Sequence, residues 1–279
     1  MLIAITGVSG FLGSHLVAFF SENHEVIKIS SSVQEDLSNA VYSINKLHNM
    51  NKTPEVVIHC HAAVASGMNL VDNQTLFDGN VLATQKVVNQ FPKSKHIFIS
   101  TVSVFGNASS VKKEYSDIQP STDYAISKIW AENIVLQSDH SVVLRLSSLY
   151  GIGMKENTLL PKYINQALGH QKIEVWGKGL RKQNYIHVSD VVYLIDKIVL
   201  RNIWDKKIFL GVGNKEYSNI ELAQIISGIT NAEIVCVNED NSPSCHYENS
   251  QTRSALNWQP LADISSEIKK IIEWKQKQF

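Results

Sequence analysis

Short apolar runs alternate with longer stretches of helical periodicity along the first half of the chain. LIAIT (2–6), VIKIS (26–30), VVIHC (56–60), HIFIS (96–100) and SVVLRLS (141–147) have strand length and are apolar at successive positions. FLGSHLVAFFSEN (11–23), TLFDGNVLATQKVVNQF (75–91) and YAISKIWAENIVLQ (124–137) repeat their apolar positions with helical spacing. Between the second and third runs lies a polar stretch containing VYSINKLHNM (41–50). Apolar strands separated by helices predict an α/β fold, a doubly wound parallel sheet with helices on both faces and right-handed crossovers. After about residue 150 the pattern changes to short strands, glycine turns and separate helices, as in GIGMKENTLLPKYINQALG and KIEVWGKGLRKQNYIHVSDVVYLIDKIVL. A smaller α+β region is expected there. No internal repeat or low-complexity segment is present.

The first strand runs directly into TGVSGFLG. Strand, GxxGxxG, helix is a phosphate-binding arrangement. Gly7 permits the tight turn, Gly10 lets the backbone approach a pyrophosphate, and Gly13 lets the helix pack against the sheet. The helix opens at Phe11 and Leu12 and presents free N–H groups and its positive end to the phosphates. This predicts a Rossmann-type dinucleotide-binding domain over 1–150, with 185–200 packing back on it and 151–279 mainly binding substrate. The fingerprint's usual acid, about 20 residues on, is missing. The second strand ends instead at Ser30, followed by Ser31 and Ser32. An acid there would hold the adenosine ribose and repel a 2′-phosphate, so its loss permits NADP and tilts the reading toward it. The alternative is that Ser30 bonds the ribose of NAD.

Composition narrows the partners. The 279 residues carry 26 basic and 26 acidic side chains, a formal net charge of zero. That balance points away from nucleic acid and from anionic membranes. No apolar run approaches the roughly 18 residues that span a bilayer, and the N-terminus reads as a core strand rather than a signal peptide. Cys60, Cys236 and Cys245 lack metal or redox spacing. A reduced, cytoplasmic setting is the simple expectation.

Tyr124 and Lys128 stand four apart in YAISKIWAE, on one face of the predicted helix. A cation there would lower the Tyr124 phenol and make it a general acid/base near neutral pH. Many such pairs are solvated surface pairs. The preceding strand, however, ends in hydroxyls at ISTVS, and ligands of open α/β sheets bind at the carboxyl ends of strands. Thr101 is thereby placed to hydrogen-bond a reacting oxygen. His59 and His61 alternate along a strand and share a face, but no cysteine or acid nearby completes a metal site, so none is expected. Asp190 or Ser189 is expected to cap the helix that follows, and Trp176, Trp204, Trp258 and Trp274 to be core or interface aromatics.

Together these motifs resemble the extended short-chain dehydrogenases/reductases that act on nucleotide sugars. TGVSGFLG is similar to the family's TGxxGxxG, EDLSN to its DL segment, VVIHCHAA to VIHLAA, and NVLATQKVV to NVxGTxNLL. ISTVSVFG resembles SSxxVYG, YAISKIWAE resembles YxxSKxxxE, VVLRLSSLYGIG resembles VLRxxNVYGPG, and GKGLRKQNYIHVSDVV resembles GDGxQxRDFxxVxDVV. FLGVGNKEYSNIELAQII and LNWQP match its tail, so the likeness covers nearly the whole chain. It implies a catalytic set of Thr101, Tyr124 and Lys128, with hydride passing between a sugar carbon and the nicotinamide. It implies cofactor contacts at Gly7, Gly10, Phe11, Leu12, Gly13, Ser30, Asp36, Leu37, His59 and Ala62, besides Tyr124 and Lys128. It implies substrate contacts at Thr101, Val102, Ser148, Arg181 and Tyr185.

The same resemblance bears on the reaction. Family dehydratases carry an Asp–Glu pair after the catalytic hydroxyl, and this chain has Val102 and Ser103. A 4-epimerase or a 4-keto-sugar reductase is expected rather than a dehydratase. Three departures leave the substrate open. Ser148 replaces the family's Asn, Gln183 its phosphate-binding Arg (with Arg181 and Lys182 just before it), and His61 an alanine of VIHLAA. Two other readings compete: a non-catalytic dinucleotide-binding regulator, and a reductase of a non-nucleotide ketone or aldehyde. The resemblance also implies a homodimer formed by the helices that hold NVLATQKVV and YAISKIWAE, with Val81, Leu82, Val87, Val88, Ile129 and Ile134 as apolar positions.

Overall fold

A computed structural model of the chain describes residues 1–30, 41–64, 71–107 and 110–278. A seven-stranded sheet organises it. Its strands are β1 (Leu2–Thr6), β2 (Glu25–Ser30), β3 (Val41–Ser43), β4 (Val56–His59), β5 (Lys95–Thr101), β6 (Ser141–Leu146) and, from the second half of the chain, β10 (Asp205–Gly211). They lie in the order β10-β6-β5-β4-β1-β2-β3, and every neighbouring pair is parallel. The order reverses between β1 and β4, which opens a crevice at their carboxyl ends.

Both faces of the sheet are covered, which is why its strands read as continuous apolar runs. Ile3, Ile5, Val56, Ile58, Ile97, Val142 and Leu144 pack on one side with α1 (Phe11–Phe20) and α6 (Val188–Arg201). The intervening Ala4, Val57, Phe98 and Val143 face the other side. There they meet the helical stretch α2 (Asn73–Leu76), a π-turn over Phe77–Leu82 and α3 (Ala83–Gln90), together with α4 (Asp123–Leu136).

A second core is separate from the first. It joins α5 (Leu159–His170), α7 (Asn219–Thr230) and α9 (Ile264–Gln276) over a small parallel pair, β8 (Lys172–Trp176) with β12 (Glu233–Val237). A three-stranded sheet lies between the two cores: β7 (Ser148–Tyr150), β9 (Lys182–His187) and β11 (Glu216–Ser218). Helix α8 (Ser250–Leu256) packs on α6 and β10.

Three histidines are buried under this sheet. His61 sits at the turn after β4, with Nδ1 2.7 Å from Thr6 Oγ1 and Nε2 3.1 Å from Thr84 Oγ1. Thr84 gives its own proton to the Asn80 carbonyl, so His61 Nε2–H donates to Thr84 and its bare Nδ1 accepts from Thr6. The His59 and His61 rings lie 5.9 Å apart, each used in hydrogen bonds of its own. Burial pushes His61 down to about 3 and His96 to about 4, and holds His59 well below the usual range. The unfolded chain would protonate all three below about pH 6.5. Their contribution to stability is therefore complete above about pH 6.5 and is lost as the pH falls toward 4 and 3. Each accounts for up to about 1.4 kcal/mol per pH unit in that window. Urea unfolding between pH 7.5 and 5 should show a falling midpoint, and His61→Ala should reduce the slope by about one proton. A stability that is flat across this range would contradict the assignment.

Candidate active site

The glycine loop lies where the strand order reverses. Gly7 turns at φ +68° and donates its N–H to the Ile29 carbonyl at 2.8 Å; Gly10 N–H closes back on the Gly7 carbonyl at 2.9 Å. A Cβ on Gly7 would stand 2.7 Å from the His61 nitrogen, and one on Gly13 would stand 2.2 Å from the Gly7 oxygen. Only glycine fits this close approach of loop, helix and neighbouring strand. The backbone cradle and the first turn of α1 at Phe11 and Leu12 have the form that receives a dinucleotide pyrophosphate. Ser30 ends β2 beside the cradle with its side chain buried, and Ala62 is exposed just beyond His61. The expected contacts Asp36 and Leu37, and the serines Ser31 and Ser32, lie outside the described residues.

Tyr124 and Lys128 are one turn apart on α4, as their spacing requires. Thr122 caps that helix by accepting the Ala125 N–H at 3.2 Å. Two sets of contacts hold α4 in place. Asn80 accepts the Ala63 N–H at 2.7 Å and donates to the Ala63 carbonyl and to Ser127 Oγ, which ties α4 to the segment after β4. Farther along, the Glu132 carboxylate takes a bidentate pair from Arg145 (3.1 and 2.8 Å) and the Ser100 hydroxyl, all buried. Removing either member of such a pair costs about 3–5 kcal/mol, so the register of α4 on β5 and β6 is firmly set. Asn80 and Ser127 were visible in the NVLATQKVV and YAISKIWAE motifs, but their mutual contact was not.

Thr101 ends β5, where its hydroxyl accepts the Ser103 N–H and donates to Ser103 Oγ, each at 3.1 Å. With Lys128 in its present position the expected lowering of the Tyr124 phenol is not seen. Tyr124 is pushed up to about 12 by burial. The Lys128 ammonium is turned onto the Phe98 ring, 4.1 Å from its centroid. Burial brings Lys128 down to about 8, against the opposing pull of Glu132 and Cys60.

Beside the start of α4 lies a cavity of about 210 Å³. Val102, Ser148 and Arg181 line it as expected, with Ser103, Gln183 and Thr122, whereas the expected contact Thr101 and the pair Tyr124 and Lys128 are not among its lining residues. Sequence reasoning missed Ser147, Asn184, Cys245 and Tyr247. The last two come from a loop whose return across the site has no local signal, although Lys112 pairs with Tyr247 there. Among the described residues no carboxylate lines this cavity, and Arg181 Nε is buried there without a hydrogen-bond partner. Tyr185 is not among the lining residues: its ring faces a neighbouring cavity of about 260 Å³ with Tyr150 and His187. Arg181, just before β9, and Gln183 within it line the first cavity, and at position 185 the strand backbone packs against Gly213.

Other expectations need correcting. Neither Asp190 nor Ser189 caps α6. His187 does so, accepting the Ser189 N–H at Nδ1, while the Asp190 carboxylate accepts the N–H groups of Leu261 (2.9 Å) and Ala262 (3.2 Å). Asp190 thus fastens the LNWQP tail to α6. Trp204 and Trp258 are core residues, but Trp176 is exposed.

The comparisons with known proteins agree with this geometry. A sequence model described as the NAD dependent epimerase/dehydratase family matches residues 3–209. The dTDP-D-glucose 4,6-dehydratase of Dictyostelium discoideum is 25% identical over 269 residues, which cover 82% of this chain and 62% of that protein. A putative UDP-glucose 4-epimerase of Methanocaldococcus jannaschii is 26% identical over 303 residues, covering 98% of each. The structure of a UDP-glucuronic acid 4-epimerase from Bacillus cereus in complex with NAD superimposes with a TM-score of 0.86 at 20% identity, over 100% of this chain and 99% of that one, and shows the same fold. Among the described residues no helix is long and apolar enough to cross a membrane. With the glycine cradle, the tyrosine–lysine helix and a family match over most of its length, the chain belongs to the NAD dependent epimerase/dehydratase family of enzymes.

Proposed function

We propose that this chain moves hydride at C4 of a nucleotide-activated sugar without removing water, as a 4-epimerase or a 4-keto-sugar reductase. The observation that carries the reading is the cavity beside the start of α4, lined by Val102 and Ser103 just after Thr101 and by Thr122 just before Tyr124, whose lining among the described residues holds hydroxyls, amides and one guanidinium but no carboxylate. Dehydration across C5–C6 needs an acid and a base at the sugar, and Val102 and Ser103 supply neither. The named activities of the two relatives, a dTDP-D-glucose dehydratase and a putative UDP-glucose epimerase, both concern nucleotide hexoses, which supports the substrate class. The unpartnered Arg181 Nε favours an anionic substrate over a plain ketone or aldehyde.

A nicotinamide dinucleotide in the glycine cradle would supply the hydride acceptor and donor. The loop from Gly7 to Gly13 would hold its pyrophosphate. With no carboxylate at Ser30, the end of β2 tolerates a 2′-phosphate, and we favour NADP over NAD on that ground. Tyr124 takes and returns the proton of the C4 oxygen, Thr101 steadies that oxygen, and Lys128 supplies the cation that brings the phenol down when it faces it. Arg181 anchors a phosphate, and Val102 and Ser148 wall the sugar. We assign residues 1–150 with the later strand β10 to the dinucleotide, and the β7–β9–β11 sheet with the second core to the substrate. Three free thiols suit a reducing, cytoplasmic setting.

A homodimer through α3 and α4 belongs to the same proposal, with only Leu82 kept from the residues first expected. Val81, Val87 and Ile134 are core, and Val88 and Ile129 pack against core clusters. The exposed apolar positions are Leu82, Ile126 and Trp130, the last edge-on to Phe77 at 5.2 Å.

Tyr124→Phe should lower turnover of an accepted nucleotide sugar by at least about 100-fold while leaving dinucleotide binding intact. Unchanged turnover would overturn the mechanism. Arg181→Ala should raise the KM for the nucleotide sugar by about 10-fold or more, with kcat nearly unchanged. Sedimentation should give the mass of two chains for the wild type and of one chain for Trp130→Asp. A one-chain wild type would exclude the dimer.

A further inference from the structure

His61 stands where the family's VIHLAA motif carries alanine, with its backbone against the glycine cradle. It is 5% exposed, and both of its ring nitrogens are hydrogen-bonded. An alanine could make neither bond. Burying an imidazole is costly unless its polar atoms are used, so where the two bonds lead is informative.

One bond leads to the cradle. Thr6 immediately precedes Gly7, and its hydroxyl accepts the Cys60 N–H at 3.1 Å and gives its proton to His61 Nδ1 at 2.7 Å. The Ile58 carbonyl is an alternative acceptor but lies farther off, at 3.4 Å. His61 therefore fixes which way the Thr6 side chain faces where the chain enters the turn at Gly7. The other bond leads to α4. His61 Nε2–H donates to Thr84 Oγ1 at 3.1 Å, and Thr84 donates to the Asn80 carbonyl at 2.7 Å, within the π-turn. The Asn80 side chain grips the N–H and carbonyl of Ala63 and donates to Ser127 Oγ at 2.9 Å; Ser127 donates to the Tyr124 carbonyl at 2.8 Å.

A neutral imidazole has one donor and one acceptor, so its two bonds must run in the same direction. They do. The protons point from Cys60 through Thr6, His61 and Thr84 to the Asn80 carbonyl, which can only accept. We propose that His61 is a positioning residue that sets the glycine cradle against the helix carrying Tyr124, through Thr6 on one side and Thr84 on the other. This role rests on the reading of the cradle as a dinucleotide site and is measured without any sugar.

Two substitutions separate the two bonds. Asparagine places its amide oxygen where His61 has Nδ1 and cannot reach Thr84. Glutamine places its amide nitrogen where His61 has Nε2–H and leaves Thr6 without its acceptor. NADH and NADPH binding is titrated by fluorescence, and amide hydrogen exchange is followed at Ala63, whose N–H is held by Asn80. His61→Asn should keep the affinity for the tighter dinucleotide to within about twofold and speed Ala63 exchange at least about tenfold. His61→Gln should do the opposite, weakening the affinity at least about tenfold with Ala63 exchange within about twofold of the wild type. A merely structural histidine would move both measurements together in both variants; that pattern, or no change in either, overturns the proposal. The wild type supplies a test that needs no variant. Long-range 15N correlation should show His61 protonated at Nε2 and bare at Nδ1, and a proton on Nδ1 overturns the proposal. A wild type that binds neither dinucleotide overturns this role and the cradle's reading together. One that binds dinucleotide but does not act at C4 counts against the proposed function and leaves the role of His61 standing.

Discussion

The contact on which the site depends is made by backbone alone. Gly7 presses against the chain at Cys60 and His61, and Gly13 lies against the Gly7 carbonyl, both at distances that exclude a Cβ. This closeness brings the end of β1, the start of α1 and the turn after β4 to one point, where the strand order reverses. Thr6 consolidates it by accepting the Cys60 N–H at 3.1 Å and donating to His61. Asn80 and Ser127 then carry the arrangement to α4, and the buried Glu132–Arg145 pair fixes how far along the sheet that helix sits. The position of Tyr124 relative to the cradle is the end of that series of contacts.

Burial sets the electrostatics of the tyrosine and lysine on α4. Burial raises the phenol and lowers the ammonium, so both favour their neutral forms. The cation rests on Phe98 among neutral imidazoles rather than on the phenol. Under the proposed mechanism, catalysis near neutral pH needs that charge brought to face Tyr124. A fold that buries three histidines here, and satisfies them mostly with one another and with hydroxyls, places no further positive charge in the way.

Much of this could be read from the sequence because parallel strands and glycine cradles have local signatures. Alternate residues of β1, β4, β5 and β6 face opposite layers, and both layers are apolar, so the strands announce themselves as unbroken runs. Tyr124, Lys128 and Thr101 fall at spacings and strand ends that any such sheet would bring to one edge. What escaped depended on distant partners. Asp190 looks like a helix cap, but its carboxylate is taken by the backbone of Leu261 and Ala262, 71 and 72 residues away. Cys245 and Tyr247 reach the cavity through a loop with no periodicity. Tyr185 stands two residues beyond Gln183 on β9, yet faces a different cavity. The protonation of the histidines likewise follows from which carbonyl or hydroxyl each one meets, and no spacing encodes that.

The central claim is a reaction at C4 that leaves the rest of the sugar intact. It is tested most directly by mass spectrometry of the nucleotide sugar recovered after the wild-type protein acts, with NAD or NADPH supplied, on nucleotide hexoses and their 4-keto-6-deoxy derivatives. The account predicts a product of unchanged mass for epimerisation, or one heavier by two hydrogens for reduction. A product lighter by one water would contradict it.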